Sequence, residues 1–535
     1  MTDITKSIKK KPIIWTISGS DCSGGAGIAA DIKTGHALGV EVCHLITANT
    51  VQNSNQLVSV NAVSVDILQQ QVDSLFEDKK PAVIKIGLIA NAKQAQWLAV
   101  TLAKLKRDNS LLITIYDPVG QASVGGNFNT LTSTELAPLL KQIDIITPNV
   151  AEAKSLSAAT GNSAFLAQKI AQDFTIKAVI VKGGHSDHSE SCIDLCYYQL
   201  NSLKQDNQDK TLETISYQLS SPRLTSHYTH GGGCTFASAL AAFLAQGYLV
   251  RDAFTLSKAF INQGLAATAP ISENFGHQYY GAFEQRSWPK ESKYFPQVSD
   301  QLNQQYQNLL PFESLALQGE KLGLYPVIDS LYWLKRLLPL GLKIIQLRVK
   351  NLDADVLEQV IIDAVNLAKD YDTRLFINDY WQLAIKHGAY GVHIGQEDLA
   401  DADLVKIQQS GIRLGISTHG CYEFLLAQQL RPSYLAVGAI FPTKTKDMTG
   451  QIQGIDNLQQ LLALRPQTLT STAHGDNKQN NNDIIPVVAI GGINLERTKE
   501  VLATGVDSIA VVTAITEAKD PEAAVQEFVS LTQKN

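Results

Sequence analysis

Apolar residues along this chain alternate between two rhythms. Short runs of aliphatic and β-branched residues are separated by longer stretches in which apolar positions return every three or four residues. That alternation predicts strands followed by helices, and hence an α/β protein with parallel sheets. In the first half the runs are IIWTISG (13–19), CHLITANT (43–50), VIKIGLI (83–89), LLITIYDP (111–118), DIITPN (144–149) and AVIVKGG (178–184). They are followed by THGGGCTFASALAAFLAQG (229–247), where Phe236, Leu240, Phe243 and Leu244 have helical spacing. The pattern predicts an open, doubly wound sheet with ligands at its carboxyl edge.

The second half is more regular. Eight runs follow one another: LYPVI (324–328), IIQLRV (344–349), LFIN (375–378), GVHIG (391–395), LGIST (414–418), YLAVGAIF (434–441), VVAIGG (487–492) and SIAVVTAI (508–515). Eight β/α units in this span predict a (β/α)8 TIM barrel, whose chemistry sits at the C-terminal ends of its strands. Between the halves, residues 274–320 sustain neither period and are rich in aromatic and polar residues. They read as a linker that packs on a neighbour, between a domain over 1–273 and a barrel over 321–535. The polar loop 465–483 reads as a surface insertion.

At 535 residues the chain is too long for one core. A hydrophobic fraction of 44% with 18% charged residues describes a globular chain, and a net charge of −6 without a basic block argues against nucleic-acid partners. No apolar run is long enough to cross a membrane, and the N-terminal stretch lacks the apolar core of a secretory signal. The six cysteines are scattered without metal-ligand or redox spacing, so reduced thiols in a cytoplasm are expected.

Candidate chemistry in the first half begins with Cys234. It stands at the mouth of a helix behind Gly231, Gly232 and Gly233, where unpaired N–H groups and bare backbone make an anion cradle. A thiol in that position is expected to have a lowered pKa and to be alkylated faster than Cys421. A turn holding a small buried cysteine is the structural alternative. SGSDCSGGAGIAADIKT (18–34) is a second glycine-rich turn entering a helix. Asp31 and Gln52 could pair with the donor and acceptor edges of an aminopyrimidine, or be no more than a helix acid and a loop amide. Asp117, Asn149 and Glu152 follow predicted strands and offer oxygen ligands of the kind Mg2+ takes, and Lys182 could reach a phosphate. Together these groups suit phosphoryl transfer.

The segments SGSDCSGGAGIAADIKT, DPV, TPNVAEA, KGGH and HGGGCT resemble the hydroxymethylpyrimidine (phosphate) kinases, which share the ribokinase-like fold. The likeness covers about residues 12–270. The resemblance implies that Gly19, Asp31 and Gln52 surround the pyrimidine, that Cys234 is the catalytic residue, and that two ATP-dependent phosphorylations follow one another. Two positions depart from the family pattern. Gly232 stands where threonine is common, which strips a side chain from beside the anion hole. Gly120 stands where methionine is common, which leaves more room over the ring.

In the second half, polar residues collect at the strand ends. Asp379 and Asp398 can share an Mg2+ that also binds a diphosphate, while Arg348, Lys350 and Lys446 can neutralise it as it leaves. Gly491, Gly492 and Thr513 fall after strands seven and eight, where barrels often bind phosphate. His393, inside a strand, reads as a satisfied core histidine. The segments IQLRVK, FINDYWQLA, GVHIGQEDL, GISTH, FPTKTKD, AIGGIN and VVTAIT resemble thiamine-phosphate synthase across about residues 322–530. That resemblance implies that Gln346, Asn378, Ser417, Thr443 and Thr445 hold the reactants, and that a thiazole phosphate captures a pyrimidine cation after diphosphate departs.

The two resemblances are consecutive steps, so the expectation is a fused enzyme of thiamine biosynthesis using ATP and Mg2+. Each half is expected to self-associate, giving a homo-oligomer. A pyridoxal- or sugar-type kinase joined to a barrel lyase would instead call for an aspartate at 234 and a Schiff-base lysine in a barrel strand. A non-catalytic binder of thiamine precursors would have no need of Asp379, Asp398, Arg348, Lys350 or Cys234.

Overall fold

The computed structural model describes residues 11–53, 56–120, 131–184, 190–200, 213–224, 230–268, 272–274, 277–279, 288–317, 320–443, 452–465 and 484–533. The chain divides into two compact units, Met1–Pro289 with Lys293–Asp300, and Lys290–Ser292 with Gln301–Asn535. Among the described residues, no helix is long and apolar enough to cross a membrane.

The first unit contains β1 (Ile13–Asp21), β2 (Glu41–Gln52), β3 (Leu57–Ala62), β4 (Val83–Ile86), β5 (Ile113–Tyr116), β6 (Ile145–Ile146), β7 (Ala178–Val181), β8 (Ser191–Leu200) and β9 (Glu213–Pro222). A small antiparallel pair, β10 (Ser272–Asn274) and β11 (His277–Tyr279), and the strand β12 (Gln297–Ser299) complete it. Ten of these form one sheet in the order β12-β9-β8-β7-β6-β5-β4-β1-β2-β3. From β7 to β2 the pairs are parallel, and β4 and β7 are buried along their whole length, as expected of strands covered on both faces. All six runs named above are these parallel strands. The flanking β3, β8, β9 and β12 pair antiparallel and escaped the sequence pattern.

Trp15, Leu45, Ile84, Leu98, Leu102, Ile146, Leu166 and Ile170 belong to one core cluster. Each such side chain contributes roughly 1.5–3 kcal/mol by leaving water. The helix Gly232–Ala245 is buried on every side from Cys234 to Leu244. It packs against the helices Gly27–Ala37 and Val250–Ala267 and against β1 and β4, which explains its Ala-rich, wholly apolar composition. Trp288 packs edge-on against Phe243 with ring centres 4.9 Å apart, and β12 pairs with β9, so part of the aromatic stretch after residue 274 belongs to this unit.

The second unit is a closed parallel barrel of β13 (Gly323–Ile328), β14 (Ile344–Leu347), β15 (Arg374–Asn378), β16 (Gly391–Ile394), β17 (Arg413–Thr418), β18 (Tyr434–Val437), β19 (Val487–Ile490) and β20 (Ser508–Val511). All eight runs read from the sequence are barrel strands. Tyr325, Ile344, Phe376, Tyr434, Val488 and Ala510 fill the interior. Two of its rings need bare backbone beside them. A Cβ on Gly391 would lie 2.4 Å from the Phe376 ring, and one on Gly415 would lie 2.2 Å from the Tyr434 ring. The N-terminal end is floored by residues 313–316, with Leu315 buried in the barrel core. Arg374 and Tyr390 donate to the carbonyl of Leu315 at 2.7 and 2.8 Å, and Ser433 donates to that of Glu313 at 2.6 Å.

Candidate functional site

In the first unit, two glycine-rich turns interlock. A Cβ on Gly231, whose φ is +78°, would fall 1.9 Å from the carbonyl oxygen of Gly25, and one on Gly27 (φ +54°) would fall 2.1 Å from that of Gly19. Only glycine permits either approach. Asp21, at the end of β1, ties the pair together. Its carboxylate accepts from the Ser23, Gly25 and Ala26 amides and the Ser23 hydroxyl, and stands 3.0 Å from His230 Nε2. Burial pushes this carboxyl up, but hydrogen bonds from His230 and Ser23 outweigh it and hold it well below the usual carboxylate range. Sequence reasoning passed over Asp21 and His230. The signal was an acid one residue after the glycine–serine pair, facing a histidine that adjoins the second glycine run.

Asp117, Lys182, Asn149, Glu152 and Gly233 do meet at the carboxyl edge. Lys182 Nζ lies 2.7 Å from Asp117, which also accepts from Thr147 at 3.1 Å. A Cβ on Gly233 would be 3.4 Å from the Lys182 ammonium and 3.5 Å from Asp117, so the helix mouth opens directly onto this ion pair. Asn149 and Glu152 form a capping box for the helix Val150–Ser157, each accepting from the other's backbone amide. Burial pushes the Glu152 carboxyl up to about 7 against the pull of Lys182, and Asp117 adds to the rise. Asn149 pairs with Lys182 through an isolated parallel bridge. A Cβ on Gly232 meets nothing within 4 Å, so the threonine common in the resembling family would fit.

Two expectations are corrected here. Asp31 does not face a ligand. It is completely buried, and its two oxygens accept from Lys85 (2.9 Å to each), Ser238 (2.6 Å) and Thr16. A carboxylate has about four lone-pair sites, and all four are used inside the protein. Cys234 is not an activated thiolate. It is buried, and loss of water pushes its thiol up to about 11, only partly offset by the Lys85 ammonium, while Asp31 and Asp117 add to the rise. Desolvation is the largest cause, and the Gly27 amide offsets it only in part. Lys85, in the middle of β4, was missed, although a lysine inside a four-residue buried strand always demands a partner.

Gly19 packs under Leu88, whose side chain would lie 2.8 Å from a Cβ there. Gln52 ends β2 with its side-chain oxygen buried and without a hydrogen-bond partner among the described residues. The Cys22 thiol donates to the Gln52 backbone carbonyl at 3.1 Å, joining the first glycine turn to the end of β2.

In the barrel, Arg348 and Lys350 follow β14, Asp379 follows β15 and Asp398 follows β16. Asp379 has a left-handed backbone (φ +65°), its amide donates to the His393 carbonyl at 2.8 Å, and its carboxylate accepts from Asn378 at 2.5 Å. Burial first, and then the neighbouring Asp398, push its carboxyl above the usual range, while Lys350 and Arg348 pull it back. The four charged groups are thus within electrostatic reach of one another. Two abutting carboxylates, one disfavoured as an anion, fit a divalent cation by the chemistry of their donors.

His393 is a satisfied core histidine: Nδ1 lies 2.7 Å from Tyr434 Oη and Nε2 lies 2.8 Å from Ser417 Oγ. Burial pushes it down to about 3, with Arg348 and His419 adding to the effect. Gln346 donates to Tyr325 at 3.2 Å, and the Ser417 carbonyl accepts from Gln396 at 2.6 Å. Gly491 (φ +102°) and Gly492 (φ +63°) turn against the loop after β18, with Gly492's carbonyl accepting from Arg497 at 2.7 Å. Thr513 opens the short helix Thr513–Thr516 after β20. Thr443 ends the described part of the loop after β18, and Thr445 and Lys446 lie outside the described residues.

Comparison with known proteins divides at the same place. Residues 21–279 match the family described as phosphomethylpyrimidine kinase, and residues 324–515 the family described as thiamine monophosphate synthase. The thiamine-phosphate synthase of Yersinia pseudotuberculosis is 52% identical over 214 residues, which are 40% of this chain and 92% of that protein. Among solved structures, a phosphomethylpyrimidine kinase from Clostridium difficile is 28% identical (TM-score 0.37, covering 47% of this chain and 99% of that one). A pyridoxal kinase from Staphylococcus aureus in complex with pyridoxal is 23% identical (TM-score 0.43, covering 54% and 99%).

Proposed function

Because the chain belongs to the phosphomethylpyrimidine kinase family through its first half and to the thiamine-phosphate synthase family through its second, we propose roles for the residues that carry each step. It is a bifunctional enzyme of thiamine biosynthesis. The ribokinase-like unit phosphorylates the hydroxymethylpyrimidine and its monophosphate with ATP, and the barrel joins the resulting diphosphate to the thiazole phosphate.

In the kinase unit, Gln52 holds the aminopyrimidine edge with its unpartnered oxygen. Amides from Gly231 to Cys234 and the Lys182 ammonium surround the phosphoryl group in transit, where their fixed dipoles and charge oppose the negative charge that develops. Cys234 accepts the proton of the attacking hydroxyl through the small thiolate fraction that its raised pKa of about 11 allows. Asp31 acts one layer further in, holding the Lys85 ammonium that offsets the thiol's burial.

In the barrel, Asp379 and Asp398 would hold an Mg2+ ion, which when bound supplies positive charge to a diphosphate. Arg348 and Lys350 bind the departing diphosphate from the β14 side. Gln346 and Ser417 hold the pyrimidine, and Gly491, Gly492 and Thr513 take the thiazole's phosphate. The observation that carries this reading is the convergence of Arg348, Lys350, Asp379 and Asp398 on three adjacent strand ends. The test is one incubation of the whole chain with hydroxymethylpyrimidine, ATP, Mg2+ and thiazole phosphate, omitting each component in turn. Thiamine phosphate should form only in the complete mixture. Formation without added Mg2+ after chelation would remove the metal role.

A further inference from the structure

Two tyrosines in the barrel core carry hydroxyls that packing alone does not need. Tyr325 and Tyr434 are 1% and 0% exposed, their rings fill the interior beside Phe376, and phenylalanine would occupy the same space. A buried hydroxyl costs free energy unless it is bonded. These two are bonded into a chain of four links: Gln346 Nε2 donates to Tyr325 Oη at 3.2 Å, Tyr325 and Tyr434 Oη are 2.7 Å apart, Tyr434 Oη and His393 Nδ1 are 2.7 Å apart, and His393 Nε2 and Ser417 Oγ are 2.8 Å apart. Gly415 is bare where a side chain would strike the Tyr434 ring at 2.2 Å, so the strand bearing Ser417 leaves room for the chain.

The hydrogens in such a chain run one way. With the Gln346 amide nitrogen on Tyr325, that hydroxyl is an acceptor on one side, and its own hydrogen has only Tyr434 to go to. Tyr434 must then donate to His393 Nδ1. A neutral imidazole that accepts at Nδ1 carries its hydrogen on Nε2, and so donates to Ser417. Ser417, half-buried at the strand end, is left with a hydrogen to offer outward. Gln346, whose amide nitrogen carries two hydrogens and bonds the hydroxyls of both Tyr325 and Tyr434, is left with its carbonyl oxygen.

We propose that Tyr325, Tyr434 and His393 are positioning residues that fix the polarity of the synthase pocket, so that Ser417 presents a donor and Gln346 an acceptor. This rests on the reading that Gln346 and Ser417 touch the pyrimidine. An aminopyrimidine offers the complement, a ring nitrogen that accepts and an amino group that donates. A 4-oxopyrimidine in its lactam form offers the reverse, an N–H and a carbonyl. The relay therefore selects the amino form against the oxo form.

Two measurements test this. In the first, the intact protein is labelled with nitrogen-15 histidine, and the His393 resonances are identified as those missing from His393→Asn among the 11 histidines. Long-range proton–nitrogen correlation should show the Nε2–H tautomer. The Nδ1–H tautomer, or a cationic ring, overturns the proposal without any appeal to activity. In the second, the 4-amino and 4-oxo forms of the pyrimidine monophosphate are compared as competitive inhibitors of the synthase reaction, without ATP. Tyr434→Phe frees both ends of the chain to reorient, so the preference for the amino form should fall by about tenfold, the worth of one well-placed hydrogen bond. An unchanged preference with both inhibitors weakened alike would mean the hydroxyl is only structural, and overturns the proposal. If neither pyrimidine inhibits the unaltered enzyme, the assignment of Gln346 and Ser417 to the pyrimidine fails, while the tautomer result still stands by itself.

Discussion

The ammonium of Lys85 lies 2.9 Å from each carboxylate oxygen of Asp31, and neither side chain has any exposed surface. Thr16 on β1 and Ser238 on the helix that follows the second glycine run close the same cluster, so the pair fastens sheet, first helix and Cys234 helix at one point. Removing Asp31 would strand a buried cation. Asp31→Ala is expected to cost about 3–5 kcal/mol. It should lower the urea midpoint for loss of kinase activity by about 1–2 M, while the midpoint for synthase activity stays put. An unchanged kinase midpoint would show that the pair does not hold the unit together.

Cys234 sets the second expectation. Because burial pushes its thiol up to about 11, the kinase rate should rise with pH toward that value if the thiolate takes the proton. Cys234→Ala should reduce kinase turnover by about 10²–10⁴-fold and leave the synthase intact. At neutral pH, iodoacetamide should consume the exposed Cys22 before the buried Cys234. Faster labelling of Cys234 would restore the activated-thiolate picture.

The carboxylate pair at the barrel mouth gives the third. Asp398→Asn removes the like charge that helps raise the Asp379 carboxyl, so Asp379 should ionise at lower pH in the metal-free protein. The same change should raise the half-saturating Mg2+ for diphosphate release by about tenfold or more, since one of two carboxylate ligands is lost. Release that is indifferent to both Mg2+ and this substitution would exclude the pair from the reaction.

Acid sensitivity should come from Asp21. Its folded pKa is held below its ordinary value, so its contribution is complete above the unfolded value near 3.8 and is lost as pH falls below it. Asp21→Asn should therefore be less stable than the parent by about 2–3 kcal/mol near pH 7. The difference should shrink progressively as pH falls below about 3.8. Urea midpoints for the kinase unit, measured across that range, decide it; parallel curves would mean Asp21 carries no linkage.

Much of this was written in the apolar rhythm. Fourteen apolar runs marked the buried parallel strands of both units, and the regular succession of eight β/α units in the second half pointed to a barrel there. The antiparallel strands β3, β8, β9 and β12, which flank the parallel core, were not legible. Val58, at 63% exposed, and Ile193, at 46%, show why: half-solvated antiparallel strands mix polar and apolar residues without a clear period. Asp117, Lys182, Asp379 and Asp398 could be singled out as candidates because each follows a strand end, a place the fold defines. Asp31 was misassigned because helical spacing says how far a residue lies along the helix but not which neighbours close over it. Lys85, inside the four-residue strand β4, decides where that carboxylate points. Tyr325 and Tyr434 were visible only as apolar ring positions, since a hydroxyl's partner two or more strands away leaves no mark on spacing.

The floor beneath the barrel bears on how the gene can be cut. Leu315 and the carbonyls of Glu313, Leu315 and Ala316 are what Arg374, Tyr390 and Ser433 hold at the strand starts. A fragment opening at Lys321 would discard that stopper, leaving guanidinium and phenol groups searching for acceptors around an uncovered greasy hole. One opening at Gln301 would carry its own lid for the underside, and is the shorter piece worth expressing when the synthase is wanted by itself.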